Sequence, residues 1–165
     1  MEEAGSAVKE YNFDNEFAPY LRRIFYLKPE KEIEADASAI EYFGVFNLTD
    51  VRAPERKLWY VYYCKKSEID DTVDRIFQKY GKKNLCEIFR KPVFSGLSLR
   101  SRVKSHFSEQ KWYVKGNLLE APPKGRYNDE RMAKAIGDLY NAEQLKIYNY
   151  IGMKYNQNKS YVKNY

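Results

Sequence analysis

The 165-residue sequence predicts an α+β fold: a small antiparallel sheet in β-β-α-β order, its helices on one face, followed by a basic, helical C-terminal third. Three observations lead there. Apolar residues alternate over 40–48 (Ile40, Tyr42, Gly44, Phe46, Leu48) and crowd the β-forming run Leu58-Trp59-Tyr60-Val61-Tyr62-Tyr63-Cys64. Apolar residues recur at three- and four-residue spacing in Ile69, Val73, Ile76, Phe77 and Tyr80, the period of one helix face. Finally, residues 1–80 hold 16 acids against 12 bases, whereas residues 81–165 hold 7 acids against 17 bases.

Taken in order, residues 1–11 read as a flexible start and 12–156 as a single domain. A first helix is predicted over 16–27, with Asp14 or Asn15 as N-cap and Phe17, Tyr20, Leu21, Ile24 and Phe25 on one face. A charged connection at 28–38 leads to the two strands, which are joined by the polar segment 47–57. Ser67 with Asp70 makes a capping-box start for the next helix, and Gly81 ends it. The short apolar segment 85–89 gives the third strand. Soft boundaries follow near 92–96 and at 121–127. Between them Leu99, Val103 and Phe107 recur every fourth residue, and 112–119 reads as one more strand. Asn128 caps a helix carrying Met132, Ile136, Leu139 and Tyr140, and Asn141 with Gln144 caps another carrying Leu145, Tyr148 and Ile151, so two helices joined by a tight turn are expected. Residues 157–165 read as a flexible basic and aromatic tail.

Composition removes several function classes. Aromatics (16 Tyr, 9 Phe, 2 Trp) make up much of the 44% hydrophobic share, so the aliphatic core is modest, yet a chain of this size folds without staples. No apolar run is long enough to span a bilayer, and Glu2, Glu3, Lys9 and Glu10 stand where a secretory signal would be apolar. The expectation is a soluble intracellular protein, cytoplasmic or nuclear, with no membrane partner. Cys64 and Cys86 suit buried free thiols better than a disulfide or a zinc site. His106 is the single histidine, which rules out chemistries that need two. Asp70, Asp71 and Asp74 are explained by capping and the helix dipole rather than by magnesium. No Gly-rich phosphate loop is present. No metal or cofactor is expected, no spacing singles out a nucleophilic tyrosine, and the sequence points away from an enzyme.

The remaining signal is electrostatic. Between Lys82 and Lys115 there are 9 Lys and Arg against 2 acids, and Arg100, Arg102, Lys104 and His106 alternate with serines before Lys111, Trp112 and Lys115. Cations clustered this way bind phosphates by releasing counterions, and serine hydroxyls add neutral hydrogen bonds. After Glu143 no acid remains, while Lys146 and Lys154 interleave with tyrosines including Tyr155, a pattern of charge and stacking faces suited to single strands. The leading expectation is therefore a non-catalytic protein that binds nucleic acid, single-stranded or duplex, or another polyphosphate. A helix-turn-helix over 128–156 is one way to do so. The alternative is a protein-interaction or homo-oligomerisation module using the aromatic strand 58–64, whose own surroundings are near neutral in charge, or the C-terminal helix pair. The Tyr, Lys and Asn content fits an A·T-rich coding genome, as many viruses, microbes and protists have.

Overall fold

The computed structural model describes residues 41–163, without the side chains of 147, 148 and 151–163. The predicted 16–27 helix and the start of the chain lie outside the described residues. The sheet and its helices form one compact unit, Glu41–Tyr140, and Asn141–Tyr165 belongs to a second. The elements are β1 (Glu41–Leu48), β2 (Leu58–Lys65), α1 (Ile69–Tyr80), β3 (Leu85–Val93), α2 (Gly96–Glu109), β4 (Tyr113–Lys115), β5 (Leu118–Glu120) and α3 (Asp129–Lys163). The five strands form one antiparallel sheet in the order β3-β1-β2-β5-β4, which makes this an α+β fold.

Period-two alternation sends each strand's residues to opposite faces, and here both faces are apolar. Phe43 and Val45 of β1 and Trp59 and Val61 of β2 pack with Leu99, Val103 and Phe107 of α2 and Met132, Ile136 and Tyr140 of α3. Phe46, Tyr62 and Cys64 face the other way, onto Val73 and Ile76 of α1. Helices thus cover both faces of the sheet rather than one. The aromatic run of β2 explains why: with bulky rings on alternate positions, neither face can be left to water.

Several local expectations change. The Ser67–Asp70 capping box does not form; a 3₁₀ turn at Lys66–Glu68 leads into α1, whose N-cap, Glu68, makes no side-chain cap bond. Gly81 does end α1, at a φ of 88° open to glycine. Strand β3 runs on past Phe89 to Val93, because as the edge strand it tolerates Pro92 without losing a ladder bond. The predicted strand over 112–119 is a hairpin of two three-residue strands turned at Gly116 (φ 59°) and Asn117. Most consequentially, the two C-terminal helices are one: α3 continues through Asn141, so there is no helix pair and no helix-turn-helix, and its backbone runs past Asn156 to Lys163. No proline stands anywhere in α3, and a single interior Asn costs too little to stop a helix. Cys64 is buried and Cys86, expected inside, is exposed; both are free. Among the described residues no helix is long and apolar enough to cross a membrane.

One close approach fixes the β1–β2 register. Gly44 stands opposite Tyr62, and a Cβ at Gly44 would fall inside the tyrosine ring, which instead lies across the glycine and stacks on Phe46 with centroids 5.5 Å apart. Gly44→Ala must push the ring off its seat, an overpacking expected to lower folding stability by about 1–3 kcal/mol in urea unfolding. A loss below about 0.5 kcal/mol would show that the ring has room to move.

Candidate nucleic-acid interface

Strand β5 is three residues long and pairs with β2 only at Leu58–Tyr60, after which the Val61 N–H donates to the Asn117 carbonyl at 2.9 Å. Beyond that bond no described strand flanks β2 on this side. The gap between α1 and the β4–β5 turn is a cleft of about 630 Å³, lined by Tyr60, Tyr62 and Tyr63 of β2, Thr72, Arg75, Ile76 and Lys79 of α1, Arg100 of α2 and Asn117 of the turn.

The lining contains three cations and no carboxylate. Helical geometry brings Arg75 and Lys79 there, since they are four residues apart and lie on the same flank as Thr72; Asp70 and Asp74 fall away from that flank, and Asp71, one turn before Arg75, is not part of the lining. Neutral groups orient the arginines. Arg75 Nη2 donates to Thr72 Oγ1 at 3.3 Å, and Arg100 Nε donates to Asn117 Oδ1 at 2.6 Å, with Asn117 Nδ2 in turn donating to the Tyr60 hydroxyl at 3.4 Å. Two other arginines are neutralised: Arg56, just before β2, pairs with Asp50 and Glu120 at 2.8 and 2.7 Å, and Arg90 of β3 with Glu87 at 3.0 Å. Among the described residues the cleft cations have no such carboxylate. No family model, curated protein or solved structure matches the chain.

The sequence-predicted residues divide around this cleft. Arg100 lines it. Lys104 stands one turn along α2 on the same flank of the buried Leu99–Val103–Phe107 stripe, whereas Arg102 and His106 fall on the opposite flank. His106 sits edge-on to Phe107 at 4.9 Å, with Gln110 Nε2 2.9 Å from its Nε2. Lys115 pairs with Leu118, which pairs with Tyr60, so register puts Lys115 on the Tyr60 face, two strands over. Lys111 is exposed and takes a positive φ of 68°, turning the chain out of α2. Trp112 is a correction: it is 7% exposed, wedged among Trp59, Phe107 and Tyr127, and offers no face to a base. Lys146 is exposed in the second unit, and the side chains of Lys154 and Tyr155 lie outside the described residues.

Sequence order hid Arg75, Lys79 and the tyrosine wall, because α1 belongs to the acidic half and the aromatic strand looked near neutral. The fold surrounds that strand with cations from two helices. Burial, then its hydrogen bond to Glu87, push the Tyr62 hydroxyl well above the ordinary tyrosine range. Burial likewise pushes the Cys64 thiol up. Among the described residues no group of three or more His, Cys, Asp and Glu side chains is arranged to hold a metal ion.

Proposed function

We propose that this protein binds nucleic acid, without catalysing a reaction on it, through the face that carries the cleft. The observation behind the reading is the contrast in arginine pairing: among the described residues Arg75 and Arg100 are oriented by a hydroxyl and an amide, while Arg56 and Arg90 are neutralised by carboxylates. Leaving cations unpaired in a concave site gains nothing for folding, but it presents a focused positive potential to phosphate. Lys104 extends the charge along α2 on one side of the open edge of β2, and Lys115 stands on the Tyr60 face, the side of α1. The protein-interaction alternative finds less support in β2, since Trp59 and Tyr62 are almost wholly buried under helices on their respective faces.

The test is fluorescence anisotropy with labelled DNA and RNA at about 50 and about 200 mM salt, with the mass measured by light scattering. Binding is expected to weaken by orders of magnitude between the two salts. Arg75→Glu/Lys79→Glu is expected to abolish it, while Lys124→Glu/Arg126→Glu, an equal charge change in the β5–α3 loop, leaves most of it. No binding at low salt, or equal losses in the two variants, would overturn the reading.

A further inference from the structure

We propose that the cleft is a site for one splayed nucleotide of a single strand, its base against the tyrosine wall and its phosphate among Arg75, Lys79 and Arg100. This rests on the nucleic-acid reading above and narrows it to a form of nucleic acid and a place. Three features of the cleft carry it. Its size, about 630 Å³, falls in the range of pockets for one small organic ligand. Its lining joins two half-buried tyrosines, Tyr60 and Tyr63, to three cations, so an occupant that satisfies both is flat and aromatic at one end and anionic at the other. Its position is concave, between a helix and a strand turn, and a duplex keeps its bases stacked inside a rod and brings only phosphate to such a surface.

A single strand can do what a duplex cannot. Its unstacked bases turn outward onto aromatic side chains while the backbone stays in reach of the cations. The polar groups are set for this division. Arg100 is held by Asn117, and Asn117 also contacts the Tyr60 hydroxyl, so the anion-binding group and the aromatic wall are fixed to one another through one amide. On the opposite wall Thr72 orients Arg75, and Lys79 lies one turn beyond Arg75. The cleft also sits where β2 has lost its neighbour, so its mouth is not roofed by another described strand and chain can enter and leave on either side.

The experiment compares, by anisotropy at about 200 mM salt, a single strand of about 12 nucleotides, the duplex of the same sequence and, as competitor, a mononucleotide. The single strand is expected to bind about tenfold or more tighter than the duplex, as loss of one stacked base would weaken it by about that factor, and the mononucleotide to compete weakly. Tyr60→Leu removes one aromatic face of the cleft without altering charge; it is expected to weaken single-strand binding about tenfold and so shrink the preference over duplex. Because this variant also tests the fold, the unmodified protein is cross-linked in parallel to single strands carrying a photoreactive pyrimidine, with adducts expected on Tyr60 or Tyr63. Equal affinity for single strand and duplex, a Tyr60→Leu protein that folds and keeps its preference, or adducts confined to tyrosines outside the cleft would overturn the proposal while leaving general nucleic-acid binding intact. Competition by the mononucleotide as strong as by the single strand would overturn it in favour of a free-nucleotide site. Loss of all binding in the Arg75→Glu/Lys79→Glu variant tests the broader reading alone.

Discussion

Replacing Trp112 by alanine is expected to remove about 3–5 kcal/mol of folding stability, the largest loss from any single site discussed, and to leave nucleic-acid affinity of the folded fraction unchanged. The indole is surrounded by rings: Phe107 at 4.4 Å, Tyr127 at 4.8 Å and Trp59 at 5.6 Å between centroids. Truncation leaves a void of a full indole under α2, where the neighbours are tied to separate elements and cannot collapse together. The chain is steered into this position by the end of α2, where the Trp112 N–H donates to the Phe107 carbonyl at 3.0 Å and Lys111 takes its positive φ. Urea unfolding gives the stability, and anisotropy below the unfolding transition gives the affinity. A Trp112→Ala protein of normal stability that no longer bound nucleic acid would restore the tryptophan to the interface and remove it from the core.

That tryptophan shows where sequence reading stops. Its neighbours Lys111 and Lys115 are exposed, and in sequence the aromatic looks like part of their basic segment. Burial is decided by the left-handed turn at Lys111, which carries no sequence signal, since lysine is not a residue that favours positive φ. The same division runs through the fold. Strands β1 and β2 and helix α1 were legible because alternation and the three-and-four period repeat over eight or more residues there. The hairpin of β4 and β5 was not, since three-residue strands are too short for a period to register, nor was the extension of β3, which depends on its being the edge. At Asn141 a capping pattern stood inside a helix, because the residues that favour N-caps are only mildly costly in helix interiors when nothing else breaks the chain.

For the site, periodicity held more than was taken from it. Counting 3.6 residues per turn separates Arg100 and Lys104 from Arg102 and His106, and separates Arg75 and Lys79 from Asp70 and Asp74, before any coordinates are known. Net charge by halves blurred this, as it averaged the acidic outer side of α1 with its basic flank. What periodicity could not supply was the meeting of those two helical flanks across β2. That depends on β5 stopping at Tyr60's partner, Leu118, which leaves the edge of β2 open between the two helices; the register carries Lys115 onto the α1 face.

Asp129 is where a second large effect is expected. It is the first residue of α3, and its Oδ1 accepts from the Asn47 amide of β1 at 2.6 Å and from the Trp59 indole of β2 at 3.0 Å. Asn128 takes the capping role beside it, its Oδ1 accepting the Arg131 N–H at 2.8 Å, which leaves Asp129 free to reach the sheet. Asp129→Ala deletes two charge-assisted bonds and strands the indole N–H of a side chain that is 1% exposed, a combination expected to cost about 3 kcal/mol in urea unfolding. The favourable placement of an acid at a helix N-terminus is lost as well, adding about 0.3–1 kcal/mol. Asp129→Asn keeps the Oδ1 acceptor for both donors but removes its charge, and should recover roughly half of the loss. If the alanine variant instead fell within about 0.5 kcal/mol of the parent, the indole would have found another acceptor, and Asp129 would not be what ties the start of α3 to β1 and β2. The alanine and asparagine variants together separate the two contributions, since the stranded donor is relieved by either acceptor and the charge only by the carboxylate.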